Sequence, residues 1–219
     1  MQFAGFMFFS TIEYLASFSF ILVLFRFSFR ENSLKFGVFA LVLSLVSQTL
    51  QTEFLQATSS LIQTLLIILF FYFFLKVTLF NSAVMVITGY LLNFIVQWTF
   101  AGIYMHFGIV QELLPYTRDG YLLQTSSVLV MALLTVLIVV LKGGFSFVEN
   151  YNRINKSKFF SKQNRLFLLF IVISLFTVFI ANLLLMVTES PPYLLVSIFL
   201  MVSMLVLIFL TVRKDERID

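Results

Sequence analysis

From its first residue the chain alternates long apolar runs with short polar breaks. Apolar runs cover residues 3–25, 34–50, 55–75, 77–104, 121–141, 166–187 and 193–212. All but the second reach the roughly 20 residues that a helix needs to cross the hydrocarbon core of a bilayer. The second and third runs are parted only by Gln51, Thr52, Glu53 and Phe54. One helix through both would be too long for a single crossing, so two helices joined by a tight turn are expected. The predicted fold class is all-α: a polytopic transmembrane bundle of seven helices, forming one integral membrane domain over residues 1–219.

The polar breaks predict an orientation. Lys and Arg accumulate in the cytoplasmic connections of membrane proteins. Arg26, Arg30 and Lys35 fall between the first two runs, and Lys76 between the third and fourth. Lys142, Arg153, Lys156, Lys158, Lys162 and Arg165 lie between the fifth and sixth, and Arg213, Lys214 and Arg217 follow the seventh. With seven crossings, all of these share one side and only Arg118 lies opposite. The other side carries Glu53, Glu112, Asp119 and Glu189. The N-terminus is therefore expected outside the cell and the C-terminus in the cytoplasm. A six-helix layout would break the alternation. No basic residue precedes the first run and no small-x-small cleavage site follows it, so it reads as a retained helix rather than a leader.

The breaks also carry the helix-stopping residues. Pro115, Pro191 and Pro192 all sit in outer connections. The broken helices common in transporters, and the GxxxG packing motif, are both absent from the sequence. Gly143 and Gly144 are expected to end the fifth helix, because glycine suits a left-handed cap. The inner stretch that follows mixes Phe145, Phe147, Tyr151, Phe159 and Phe160 with basic residues. It reads as a topology-setting loop or as a segment lying on anionic lipid.

Composition narrows the function classes. The chain is 61% hydrophobic and only 11% charged, with a mean hydropathy of +1.05, whereas soluble proteins carry about a quarter charged residues. The net charge of +4 is then a matter of membrane sidedness, and no nucleic-acid partner is expected. There is no Cys and one His, which removes disulfides, thiolate catalysis and Cys- or His-cluster metal sites. The 30 Phe residues read as a compositional default for apolar positions rather than a ligand cage.

Few residues carry candidate chemistry. Glu13 stands near the middle of the first run, where an ionisable group is costly and marks a functional site by default. The alternative is a hydrogen-bonded carboxyl that faces a neighbouring helix for packing specificity. In the fourth run Gly89, Asn93, Gln97 and Ala101 recur every four residues and share one helix face. Such a face serves helix–helix contact or lines a cleft with Asn93 and Gln97. Glu13, Asn93 and Gln97 are the candidate ligand-binding residues, with the two amides as the expected partners of the carboxyl. Gln48, Gln51, Gln63 and Asn182 read as packing residues. Trp98, Tyr104, Tyr116 and Tyr121 fit an aromatic belt at the headgroups, and His106 an interfacial position. No nucleophile–base pair, H-E-x-x-H site or phosphate-binding glycine loop is recognisable. No catalytic residue, metal or cofactor is therefore expected.

The layout resembles the membrane sensor domain of receptor histidine kinases of the accessory-gene-regulator type, which detect peptide pheromones in low-GC Gram-positive bacteria. The likeness rests on the short basic loop 26–35, the close helix pair after it and the long helix introduced by Lys76. It also rests on the run Gly89, Tyr90, Leu91, Leu92, Asn93, the basic inner loop and the charged stretch 213–219. In that family the last helix continues into a kinase. This sequence stops at Asp219, so no kinase residue carries over. The resemblance implies a bacterial plasma membrane, an extracellular peptide or small-molecule signal and a homodimer. The leading expectation is a non-enzymatic signal-sensing or regulatory protein. A small transporter or transporter subunit, and an immunity or accessory protein acting on a partner membrane protein, are the alternatives.

Overall fold

In a computed structural model, residues 2–51, 55–110, 116–146, 148, 164–188 and 191–216 are described. Thr52, Glu53 and Phe54, where a tight turn is expected, the acidic Glu112 and Glu189, Pro115, Phe147, residues 149–163 and Arg217 lie outside them. Among the described residues seven helices follow one another: α1 Gln2–Leu24, α2 Phe29–Thr49, α3 Gln56–Phe74, α4 Leu79–His106, α5 Arg118–Val140, α6 Arg165–Val187 and α7 Tyr193–Asp215. Among the described residues there is no strand.

Five of these helices, α1 and α4 to α7, are long and apolar enough to cross a bilayer. The chain is thus a multi-pass membrane protein with an all-α bundle. α3 contributes a shorter apolar stretch, Thr58–Phe74, and α2 opens on Arg30, Glu31 and Lys35. The outward surface agrees with a lipid environment. Leu129, Leu133, Val136 and Val140 of α5, Val172 and Phe176 of α6, and Leu195, Ile198 and Phe209 of α7 are all exposed. On a soluble protein so much contiguous apolar surface would drive association.

α4 is the axis of the bundle. Its 28 residues span about 42 Å, and 72% of its most apolar window is buried inside the protein, against 11% for α5. α4 packs on α1, α3, α5, α6 and α7, while α2 packs on α1 and only lightly on α3. Gly89 makes the α1–α4 approach possible. A Cβ there would overlap Ile21 Cγ1 and stand 2.7 Å from Ile21 Cδ1.

The helices alternate in direction, so their ends gather at two poles. At one pole Phe145 N–H donates to Leu24 O at 2.7 Å, joining the ends of α1 and α5. Asp215 Oδ1 accepts from Ser146 N–H at 2.9 Å and Ser146 Oγ–H at 3.0 Å, joining α7 to the same segment. Lys214 Nζ lies 4.4 Å from the Phe80 ring centroid and 5.7 Å from that of Phe167, bringing in the starts of α4 and α6. Phe36 and Phe39 of α2 meet Phe70 and Phe71 of α3 at the same level, with Phe39 stacked on Phe70 at 3.7 Å. Arg26, Lys76 and Lys142, which follow α1, α3 and α5, belong to this basic pole and all take positive φ. At the other pole Phe6 meets Tyr116 and Phe9 stacks on Tyr121, and Trp98 meets Tyr193.

Most helix limits fall within three residues of the apolar runs. α2 is the exception, starting five residues before residue 34. Ser28 caps it, its Oγ accepting from Glu31 N–H at 3.5 Å, and the helix then runs through charged residues that an apolar count leaves out. α5 ends differently from expectation. Lys142, not a glycine, takes the left-handed position with φ +50°. Lys142 N–H donates to Val139 O and Gly143 N–H to Ile138 O, the paired bonds of a Schellman end.

Candidate functional site: a polar cavity around Glu13

A helix carrying a carboxyl through an apolar bundle must give it hydrogen bonds. α1 turns Glu13 toward α4, and the four-residue spacing of Asn93 and Gln97 puts both amides opposite it. Asn93 Nδ2–H donates to Glu13 Oε1 at 3.2 Å, and Gln97 Nε2–H donates to the same oxygen. The three candidate residues are therefore brought together. One turn toward the basic pole, Gly89 of the same face admits Ile21. Ala101, the last member of the stripe, is buried.

The cluster forms one wall of a cavity of about 280 Å³. Glu13 is partly buried and is one of the residues lining this space. α1 supplies Ser10, Tyr14 and Ser17, α2 Ser47, and α3 Ser59, Ser60 and Gln63, with Gln51 just beyond the end of α2. α4 adds Tyr90, α5 Gln124 and α6 Asn182. Among the described residues no Lys, Arg, His or Asp lines it. A second chain of bonds ties α1 to α3: Tyr14 O–H donates to Gln63 Oε1 at 2.8 Å, and Gln63 Nε2–H to Ser59 Oγ at 3.3 Å. Asn182 Nδ2–H donates to Ser60 Oγ at 2.7 Å, and Gln124 Nε2–H to Ser10 Oγ at 3.4 Å. Adjacent residues of α1 thus tie it to two different helices, Glu13 to α4 and Tyr14 to α3.

The cavity is polar at one level and apolar at another. Ser47 lies in the last turn of α2 and Gln51 just beyond it, Ser59 and Ser60 open α3, and Asn182 lies in the last turns of α6, so the polar rim faces away from the basic pole. Deeper, Phe18, Ile21, Ile67 and Val86 form an apolar floor. Beneath it the rings of Phe18, Phe36 and Phe71 lie 5.2 to 5.9 Å apart and fill the space toward the basic pole.

Gln51, Gln63 and Asn182, read as packing residues, line the cavity, whereas Gln48 does not. Ser10, Ser17, Ser47, Ser59, Ser60 and Gln124 line it too, without a sequence signal that marks them. Trp98 departs from the aromatic-belt reading: it is only 4% exposed and stacks on Phe94, itself a lining residue, at 5.5 Å. His106 is exposed at the end of α4. Among the described residues no group of three or more His, Cys, Asp or Glu could hold a metal ion. No protein family, curated protein or solved structure matches this chain.

Proposed function

We propose that the chain is a non-enzymatic signal-sensing or regulatory protein of a Gram-positive plasma membrane. On this reading it crosses seven times, with the N-terminus outside, and its extracellular ligand enters the cavity around Glu13. The observation that carries the reading is the cavity itself. Polar groups within a membrane bundle are expensive and face the interior or a water-filled space for a reason. Here groups from six helices converge on one space, and its rim lies at the pole poor in Lys and Arg. The positive-inside rule assigns that pole to the outside. The aromatic packing below the floor favours reception over passage, since the rings of Phe18, Phe36 and Phe71 stand between the cavity and the basic pole. A ligand that ties α1 to α3 and α4 would change how these helices pack, which is the form a transmembrane signal can take.

The test is a thermal-stability screen of the purified chain in lipid nanodiscs against peptides and small polar solutes. A ligand held only by the folded protein raises stability by about 2.7 kcal/mol at a hundredfold excess over Kd. At least one compound is expected to raise the melting temperature of the wild type, unchanged chemically and not accumulated by proteoliposomes. That shift is expected to vanish in Glu13→Leu, while Glu13→Leu disturbs expression less than it disturbs binding. Accumulation of the compound inside proteoliposomes would establish the transporter reading instead. Stabilisation that survives in Glu13→Leu would remove the cavity from the account.

A further inference from the structure

The lining chemistry selects among ligands. Among the described residues the cavity is lined by one carboxyl group and no basic side chain. Glu13 Oε1 takes the N–H groups of both facing amides, so those amides turn their carbonyl oxygens elsewhere. Asn93 Oδ1 is buried and has no hydrogen-bond partner. The cluster therefore has acceptors to spare and lacks a donor. Around it stand the rings of Phe6, Tyr14, Phe18, Tyr90 and Phe94, whose faces attract cations where water is excluded. A carboxylate, an orphan carbonyl reached by turning one amide, and aromatic walls together match a group with several N–H donors and a positive charge.

Size narrows the choice. At ~30 Å³ per water molecule the space holds roughly nine of them, which is below the usual range of drug-sized pockets. A guanidinium is planar and prefers a two-oxygen fork. Here Asn93 and Gln97 share one carboxyl oxygen and Gln124 also bears on the group, so a two-oxygen fork is not open and a single-point donor fits better.

We propose that the cavity binds a primary ammonium group, with Glu13 as its counter-ion. This rests on the reading of the cavity as a ligand site and adds the ligand's chemical class. The ammonium belongs to a free small amine or to a lysine side chain of a peptide threaded in from the rim, and the same chemistry serves both.

The experiment is equilibrium binding of labelled n-butylammonium to the full chain in lipid nanodiscs, with empty nanodiscs subtracted. Saturable binding of one amine per chain is expected. Glu13→Gln keeps shape and hydrogen bonding but removes the charge, and is expected to weaken binding at least about tenfold. Glu13→Asp is expected to restore most of it. Excess n-butanol should not compete, because it has the same alkyl tail without the charge. Competition by a capped lysine amide assigns the peptide source, and its exclusion assigns free amines. Undiminished binding to a folded Glu13→Gln chain overturns the proposal, as does equal competition by n-butanol or the absence of saturable binding. Saturable n-butanol binding that Glu13→Leu abolishes would leave the cavity as a ligand site and refute only the cation.

Discussion

At the scale of single residues, two positions on one face of α4 have opposite duties. Gly89 contributes by having no side chain and Asn93 by having a polar one. Gly89→Ala would drive a methyl group into Ile21, a β-branched side chain that is itself fully packed. A loss of about 1–3 kcal/mol is expected from such overpacking, read as a lower melting temperature in detergent. Ile21→Ala in the same chain should recover part of it, giving a non-additive pair. Simple additivity of the two changes would place α1 and α4 further apart than described. The contact of Glu13 with Asn93 and Gln97 was legible in the sequence, because a buried carboxyl needs donors and a four-residue repeat supplies two on one face. The serines of the cavity were not legible. A serine in an apolar helix commonly bonds its own preceding turn, as Ser19, Ser174 and Ser197 do. Its presence alone therefore does not tell a cavity wall from a self-satisfied hydroxyl.

At the scale of elements, the apolar runs marked every helix, since length and hydrophobicity are what the bilayer demands. They missed ends governed by local hydrogen bonding. The Ser28-x-x-Glu31 spacing before α2 is a readable capping signal that an apolar count passes over. After α5, Lys142 takes the left-handed turn and Gly144 serves a different contact. Gly144 has φ +110°, and a Cβ on it would stand 2.9 Å from Leu24 O and 3.1 Å from Val23 O. Those are backbone atoms that cannot move aside, so this glycine lets the 141–146 segment lie across the end of α1. Gly144→Ala is expected to destabilise by about 1–3 kcal/mol and to speed hydrogen exchange at the Phe145 amide, which bonds Leu24 O. Gly143→Ala, whose added methyl meets nothing closer than 3.6 Å, is the control and should change neither. Equal effects from both substitutions would contradict the described contact. Because Ser146 is in turn bound by Asp215, this segment links the end of α1 to the end of α7, and a shift of α1 at Glu13 has a physical route to the C-terminal helix.

At the scale of the whole molecule, a one-sided distribution of basic residues stands opposite the polar end of the cavity. The sequence carried the charge asymmetry in plain view. The cavity depends on six helices meeting, which no single segment encodes. Lys and Arg at the ends of α1, α3 and α5, with Arg213 and Lys214 in the last turn of α7, put the basic pole in the cytoplasm on the proposed reading. The chain has no Cys, so single cysteines can be introduced on a silent background. The most direct measurement is labelling of Ser59→Cys and Ser47→Cys in intact cells with a charged thiol reagent that does not cross membranes. Leu133→Cys on the exposed face of α5 and Phe71→Cys in the buried aromatic cluster serve as controls. Reaction of Ser59→Cys and Ser47→Cys from outside, with neither control labelled, is the expected result. Labelling of the two rim positions only after the cells are opened would place the cavity on the wrong side of the membrane and contradict the account.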